Sequence, residues 1–309
     1  MELRVVIVWW IACLLWSGTF LSIRVGVEHV PPLTFAWLRL LIAIAVLVPL
    51  SVVRRGFNGV SRRDVVRVMF AGILLLGVNY GLLYWGARFI PSGLVAILQS
   101  STPVLALALG WCLGSEIVTL RKVIALAAGV AGIFLTFRTQ IHAAGTAGLL
   151  GSLAVLGSSL CVATAYVWLK RHGARVRPVT VTTLQCVAGL IPLSAAGLLI
   201  EGSPLKSPWT AEAVAALLYL ALGASGVAFS LNYWLLQRMD ASAMLMMGVA
   251  EVPIAVALGA LLLGERLPPG ALLGGACILA GVVLMLARAD TQLPRQACAA
   301  PRWFRNGPS

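Results

Sequence analysis

The sequence predicts an all-α integral membrane protein in which ten transmembrane helices form two inverted five-helix repeats around a central cavity. Three observations predict this class: few charged residues, a series of apolar blocks of about twenty residues, and an internal repeat. Of the 309 residues, 60% are hydrophobic and only 11% are charged. A soluble domain has roughly 25% charged residues, so this chain has too few to cover a water-facing surface.

Ten apolar blocks have the length that crosses a hydrocarbon core of roughly 30 Å. They lie near residues 5–23, 33–52, 66–87, 92–113, 120–137, 147–169, 179–199, 212–236, 241–263 and 270–288. The first block follows Arg4, as the apolar part of a secretory signal would. It has no small-residue cleavage site and contains Trp9, Trp10 and Trp16, so we expect a retained helix.

The net charge of +13 is distributed unevenly between the connections. With the N-terminus in the cytoplasm, 17 of the 23 Lys and Arg residues lie on the cytoplasmic side and 5 on the other, while Arg39 lies within a block. This asymmetry follows the positive-inside rule, so we expect a multi-pass protein of the cell membrane with both termini cytoplasmic. The basic excess then reflects topology and contact with lipid headgroups, and no nucleic acid partner is expected.

The cysteines and histidines do not suggest a metal site. The six cysteines have neither CxxC nor metal-ligand spacing, and the three histidines lie in separate connections. A cysteine within an apolar helix behaves as a small apolar residue. We therefore expect neither a metal nor another cofactor.

The chain also resembles itself. The segment RFIPSGLVAILQSSTPVLALALGWCLGSE (88–116) is similar to RMDASAMLMMGVAEVPIAVALGALLLGE (238–265), which pairs Pro103 with Pro253. A second pair of segments, PLTFAWLRL and PVTVTTLQC, pairs Arg39 with Gln185. Such self-similarity predicts two repeats. The expected parts are a first repeat at 5–137, an external linker at 138–146, a second repeat at 147–288 and a disordered cytoplasmic tail at 289–309.

Five spans per repeat is an odd number, and this has a consequence for the orientation of the two halves. The second repeat must enter the membrane from the side opposite to the first, so the halves are inverted relative to each other. Inverted repeats are typical of alternating-access carriers, whose binding site lies near the membrane midplane where the halves meet. The repeat therefore points to a carrier.

Three motifs connect the chain to a known family: SGLVAILQSSTPVLALALGWCLGSE, SAMLMMGVAEVPIAVALGALLLGE and TFAWLRLLIA. With these motifs, residues 5–288 resemble the EamA-type carriers of the drug/metabolite transporter superfamily. The resemblance implies ten helices around a central cavity, with the fifth and tenth at the periphery. It also implies export of small metabolites or drugs across a cell membrane, here expected to be a bacterial inner membrane, without covalent chemistry.

Glu251 is the first candidate for a substrate-binding residue. A carboxylate in the middle of an apolar helix costs on the order of 3 kcal/mol to insert, so it should face protein or water rather than lipid. Pro253 lacks an N–H, which frees a carbonyl near residue 249 for other partners. Glu251 could hold a cationic group of the substrate or exchange a proton, or it could be a structural acid bonded to a neighbouring helix.

Arg39 and its repeat partner Gln185 are further candidates for substrate binding. Arg39 could bind an anionic group, pair with Glu251, or extend its long side chain to the membrane interface. In the fourth block, Gln99 and Ser101 precede the helix-breaking Pro103 in the run QSSTP. We predict cavity positions for Gln99 and Ser101, although serine hydroxyls often bond back to their own helix.

Aromatic and amide side chains complete the predicted substrate site. Tyr80 and Tyr84 lie one helical turn apart beside Asn79, and Asn232 and Tyr233 occupy the eighth block. Tyr166 in the sixth block and Trp16 in the first are also predicted to line the cavity. An interfacial aromatic belt is the alternative for residues near the ends of the blocks.

These features favour a secondary active transporter that exports a small metabolite, such as an amino acid or an aromatic or amphiphilic compound, or a drug. A sugar-nucleotide or lipid-linked carrier is the alternative within the superfamily, and a non-transporting sensor or assembly factor is the alternative outside it. We expect no enzymatic activity, because no catalytic pair lies within the blocks, and no ATP-driven pump, because there is no phosphate-binding loop. Expected partners are the small-molecule substrate, the lipid bilayer and protons as a candidate coupling ion, for a monomer or homodimer.

Overall fold

A computed structural model describes residues 3–53, 60–114, 119–172, 178–236, 238–239 and 241–286. Within these ranges the chain is helical and has no strands. The helices are α1 (Leu3–His29), α2 (Pro32–Val53), α3 (Arg62–Ala87), α4 (Ser92–Cys112), α5 (Leu120–Arg138), α6 (Gly145–His172), α7 (Pro178–Ile200), α8 (211–236), α9 (Ala241–Leu262) and α10 (Pro269–Leu286). Helices α5 and α6 meet at Gly145, whose φ of 62° and ψ of −157° are not helical.

Seven helices in the described ranges are long and apolar enough to cross a membrane, namely α1 to α7. Shorter apolar helices cover Ala211–Ser225, Met246–Leu262 and Pro269–Met285. Large apolar side chains, including Ile7, Phe134 and Leu273, are exposed on the outer faces. Exposed apolar surface on this scale is suited to lipid and not to water, so the chain is an integral membrane protein.

Carboxylates from distant parts of the chain cap the N-termini of two helices. Glu201 accepts hydrogen bonds from the backbone N–H groups of Leu33 and Thr34, at 3.0 and 2.7 Å, in the first turn of α2. Glu265 accepts at 2.8 Å from both the N–H and the hydroxyl of Ser92, at the start of α4. A carboxylate stabilises a helix N-terminus because the first N–H groups have no partner within the helix.

Arginines occupy the opposite ends of the helices. Arg24 donates to the carbonyl oxygens of Ala87 and Arg88 where α3 ends, at 3.0 and 2.6 Å. Arg121 donates to the carbonyls of Leu284 and Met285 in the last turn of α10. A cation at these positions satisfies carbonyls that lack helical partners.

Three helices depart from regular α-geometry in their middle sections. In α3 and α8 the turns Ile73–Val78 and Tyr219–Val227 have the wider π-helical hydrogen bonding. These two wide turns begin 146 residues apart, the offset that also pairs Arg39 with Gln185 in the sequence. Helix α4 is interrupted between its segments Ser92–Gln99 and Thr102–Cys112. Wide turns of this kind occur frequently at functional sites.

Helices of the first half pack against helices of the second half. Helix α2 packs along α7, where the hydroxyls of Ser51 and Thr183 lie 2.7 Å apart. Helix α5 packs along α10, and a Cβ atom at either Gly132 or Gly274 would meet the backbone of the other helix. Small residues permit such close approach between helices. Helix α1 contacts α8 and α9, while α6 contacts α3 and α4.

Candidate functional site

A cavity of about 400 Å³ lies between α1, α4, α6, α9 and α10. Its polar lining consists of Gln99, Ser100, Thr102, Tyr166 and Glu251. The remaining lining is mainly apolar, from Phe20, Ala96, Pro103, Val162, Gly248, Val249, Val252, Leu279, Val282 and Met285. A concave, mostly apolar pocket with a few polar groups is the usual form of a small-molecule site.

The cavity lies along the middle of α4 and α9 and reaches the last turn of α10, where Met285 lines it. Its lining on α4 begins at Ala96, its lining on α9 stops at Val252, and its lining on α10 begins at Leu279. Beyond those positions the helices are packed together. Ile97, Val252 and Ile278 form a buried cluster against Leu267, and the cap by Glu265 on Ser92 lies further along the same direction. The cavity is therefore closed by packing at one end.

Glu251 lines the cavity, as the sequence predicts. Its carboxylate has no hydrogen-bond or ion-pair partner within the part of the chain that the structure describes, while its backbone oxygen accepts from Ser17 of α1 at 3.1 Å. Helix α9 continues through Pro253 without interruption. Proline therefore removes a hydrogen bond here without ending the helix, and Val249, four residues earlier, also lines the cavity.

Gln99 also lines the cavity, and two serines on α6 hold its amide. The amide nitrogen donates to Ser158 at 2.8 Å, and the amide oxygen accepts from Ser159 at 3.1 Å. Ser158 is a neighbour of the site that the sequence analysis does not predict. The adjacent serines in GSSL were the available signal, since serines in membrane helices often bond to side chains of neighbouring helices.

The predicted cavity position of Ser101 is wrong for this cavity. Ser101 is fully buried, and its hydroxyl donates to the backbone oxygen of Leu98 at 2.6 Å. The helix interruption rotates Ser101 away, whereas its neighbours Ser100, Thr102 and Pro103 line the cavity. The bond back to the same helix satisfies the hydroxyl without a ligand.

Of the predicted aromatic and amide residues, some line the cavity and others lie outside it. Tyr166 lines the cavity with more than half of its surface exposed. Trp16 instead packs against a cluster that includes Cys13, Leu235 and Met247. Asn232 is partly buried on α8 and is not part of the lining, and the side chain of Tyr233 lies outside the described residues.

Arg39 lies away from the cavity, in a second polar cluster between α2, α3 and α8. Its guanidinium donates to the Tyr84 hydroxyl at 2.9 Å and to Ser225 at 3.3 Å, and it lies 5.1 Å from the centre of the Tyr80 ring. Only 5% of Arg39 is exposed. It therefore neither pairs with Glu251 nor extends to the interface.

Asn79 and Gln185 are also absent from the cavity lining, although the sequence predicts them there. The Asn79 amide donates to the backbone oxygen of Leu75 at 2.8 Å, in the wide turn of α3. Gln185 is buried where the backbone of α7 approaches Gly72 closely. Packing of α2, α3 and α7 on one another places both residues inside the helix bundle, away from the cavity wall.

Helix α10 differs from the expectation of a purely peripheral helix. It contributes Leu279, Val282 and Met285 to the cavity wall. Phe20 of α1 is a further lining residue that sequence reasoning did not select. These apolar residues could not be predicted from the sequence, because in a hydrophobic helix a residue of a cavity wall cannot be distinguished from a lipid-facing residue.

The fold and the cavity together define an integral membrane protein with a solute-sized site inside a helical bundle. The model of the EamA-like transporter family matches residues 3–138 and again residues 149–287. The chain therefore belongs to the EamA-like transporter family, which confirms the resemblance seen in its motifs. Its place in this family makes it a transporter of the drug/metabolite transporter type.

Several curated relatives share most of their length with this chain, and they are named as transporters rather than enzymes. The uncharacterized transporter YoaV of Bacillus subtilis is 25% identical over 272 residues, which is 88% of this chain and 92% of YoaV. The uncharacterized inner membrane transporter YedA of Escherichia coli K12 is 28% identical over 281 residues, 88% of this chain and 87% of YedA. A probable amino-acid metabolite efflux pump of Salmonella typhimurium is 23% identical over 284 residues, 87% of this chain and 90% of that protein.

A solved crystal structure shares the fold. It aligns with 92% of this chain and 97% of its own chain, with a TM-score of 0.59 and 20% sequence identity. At this identity the likeness concerns the fold alone.

Proposed function

We propose that this chain is a secondary active transporter with ten membrane-spanning helices, which exports a small amphiphilic metabolite or drug by alternating access. The observation that carries the proposal is the cavity of about 400 Å³, lined mainly by apolar residues and closed by packing at one end. A site that is accessible from one side at a time is what alternating access requires.

Two features support the inverted arrangement of the halves. The wide turns of α3 and α8 begin at the same offset as the sequence repeat. The exchanged contacts, α1 with α8 and α9 and α6 with α3 and α4, also correspond between the halves. Under the positive-inside orientation, Tyr166 and Met285, which line the cavity away from the packed end, lie towards the cytoplasm. Loading from the cytoplasm fits an exporter.

The chemistry of the lining favours a solute with an apolar body and a cationic or hydrogen-bonding group. Glu251 is the charged residue of the described lining, which contains no Lys or Arg. A sugar-nucleotide carrier would have to bind phosphate groups, for which basic side chains are the usual partners. The lining therefore favours an amine-bearing or aromatic metabolite, and the Salmonella relative named as a probable amino-acid metabolite efflux pump is consistent with that class.

Gly248 offers a direct test of the cavity as the transport site. It lines the cavity, and a Cβ atom added there meets nothing within 4 Å. Gly248→Phe should fill the cavity and abolish transport, while Gly248→Ala should transport nearly as the wild type does. A thermal-shift screen of the purified protein with phenylalanine, tryptophan, adenine, tyramine and ethidium would identify a ligand, followed by counterflow of that ligand in proteoliposomes.

The three proteins, wild type, Gly248→Ala and Gly248→Phe, distinguish a transport route through the cavity from a route elsewhere. Ligand-dependent stabilisation and counterflow that are present in the wild type and in Gly248→Ala but absent in Gly248→Phe would support the proposal. Equal counterflow in all three proteins, at equal abundance in the vesicles, would place the transport route elsewhere and overturn it.

A further inference from the structure

Arg39 is a buried charge without a counter-ion in the part of the chain that the structure describes. Two of its nitrogens donate to hydroxyl groups, of Tyr84 and Ser225, and its Nε has no hydrogen-bond partner. A guanidinium has five N–H donors and no acceptor, so several donors are left over. The residue lies about 10 Å along α2 from the helix start, by the rise of 1.5 Å per residue.

None of the described carboxylates forms an ion pair with Arg39. Three form ion pairs, which are Glu28 with Arg24, Asp64 with Arg67 and Glu212 with His29. Glu201 and Glu265 cap the N-termini of α2 and α4. Glu251 lines the cavity and forms no ion pair with Arg39. Arg39 is therefore not neutralised by any carboxylate that the structure describes.

The side chains next to Arg39 supply further hydrogen-bond donors but few acceptors for its guanidinium. Ser225 uses its own proton to donate to Leu220 at 3.0 Å. Tyr84 accepts from Arg39, and its own hydroxyl proton has no acceptor among the described residues. Tyr80 covers one face of the guanidinium and is only partly buried, whereas Arg39 and Tyr84 are buried. Donors that converge without an acceptor are suited to an anion.

An unpaired charge inside a membrane protein is costly, and such residues usually pair with a partner or mark a ligand path. A planar guanidinium is also the side chain that best fits a carboxylate, through two parallel hydrogen bonds. The Tyr80 ring and the hydroxyls of Tyr84 and Ser225 are uncharged, so they stabilise the Arg39 guanidinium without neutralising its positive charge.

We propose that Arg39, Tyr80 and Tyr84 form a binding site for a monovalent anionic group, either a free anion such as chloride or the carboxylate of the transported solute. This deepens the proposed function, on which it rests. A solute that uses both places would carry a cationic group towards Glu251 and a carboxylate towards Arg39.

Thermal unfolding of the purified full chain tests this proposal with four probes. Sodium chloride and sodium acetate, against sodium sulfate at matched ionic strength, test for a free monovalent anion. Phenylalanine against phenethylamine, which lacks the carboxylate, tests for the carboxylate of a solute. We expect at least one pair to give a stabilising shift in the wild type that Arg39→Gln loses. Arg67→Gln is the matched control, because Arg67 already pairs with Asp64.

A second variant keeps the test decisive if Arg39→Gln does not fold. Tyr84→Phe keeps the ring and removes one donor, so the midpoint concentration of the effective anion should rise about tenfold, as expected for the loss of a hydrogen bond to a charged group. Shifts with chloride and acetate identify a free anion, and a shift with phenylalanine alone identifies the solute carboxylate. The proposal is overturned if no probe pair differs, or if Tyr84→Phe responds to the effective anion as the wild type and the control Arg67→Gln do. Counterflow blocked by Gly248→Phe would then still support the proposed function.

Discussion

At the scale of single residues, Glu251 is the charged side chain of the cavity proposed for transport. It is an acid in an otherwise uncharged lining, and its carboxylate has no partner among the described residues. An intramembrane acid facing a cavity usually belongs to a substrate or proton pathway. An experiment can distinguish whether Glu251 binds a cationic group of the substrate or exchanges a proton.

Glu251→Gln should fold, because the amide has nearly the same size and can still form hydrogen bonds, but it should lose most gradient-driven transport. If protons are the coupling ion, the variant should retain counterflow, which needs no net proton movement. Loss of counterflow as well would indicate direct binding of the substrate. Glu212→Gln is the matched control, since Glu212 is exposed and pairs with His29. Wild-type transport by Glu251→Gln throughout the near-neutral pH range would make Glu251 a structural acid.

Gln99 lines the cavity, whereas Ser101, two residues later, is buried and bonds to its own helix. The two residues are therefore a matched pair for a second prediction. Gln99→Leu should weaken apparent affinity about tenfold, because it removes the cavity-facing amide and leaves the hydroxyls of Ser158 and Ser159 without it. Ser101→Ala should leave affinity unchanged, because its hydroxyl bonds only to Leu98. Radioligand counterflow at equal protein abundance measures both. A larger effect from Ser101→Ala would contradict the assigned orientation of α4.

At the scale of helices, the closed end of the cavity depends on α4 being fastened to the connection between α9 and α10. Glu265 accepts three hydrogen bonds there, two from Ser92 and one from the N–H of Gly93 at 3.2 Å. Val256 and Leu267 fill the space beside Gly93. The sequence repeat marks Glu265 as a repeat-closing residue, but its role as a cap on α4 becomes visible only in the packed helices.

Glu265→Gln should loosen this closure, because an uncharged amide binds a helix N-terminus more weakly than a carboxylate, by about 1–2 kcal/mol. Ile97 is 2% exposed behind the closure. In a cysteine-free background, Ile97→Cys should therefore react several-fold faster with a membrane-impermeant maleimide applied from the Glu265 side when Glu265→Gln is present. Glu212→Gln serves as the control. Unchanged reactivity would mean that Glu265 does not hold the closure.

At the scale of the whole molecule, the proposed ten-span topology predicts from which side of the membrane each connection is accessible. Arg63, just inside α3, and Leu205, between α7 and α8, are both exposed, Leu205 by 90%. With both termini cytoplasmic, Arg63→Cys should be labelled only from the cytoplasm and Leu205→Cys only from outside. Labelling in intact cells and in inverted vesicles, again without native cysteines, measures this. Labelling of both from the same side would contradict the ten-span arrangement.

The amino-acid sequence by itself determined the membrane class, the positions of the helices and three polar cavity-lining residues, Glu251, Gln99 and Tyr166. These follow from properties that act locally along the chain. A helix without charges cannot face water, and a carboxylate or amide in its middle cannot face lipid. The repeat could be read in the same way, because it is a similarity between segments and does not depend on how the segments pack.

The tertiary structure alone decided which polar residues share a site. Arg39 and Glu251 lie in different clusters, Ser101 bonds to its own helix, and α10 forms part of the cavity wall. The physical reason is that hydropathy in a membrane helix reports burial from water but not which neighbour a face meets. Rotation about the helix axis is set by packing against other helices, through close contacts such as Gly132 with Gly274 and local changes such as the interruption of α4.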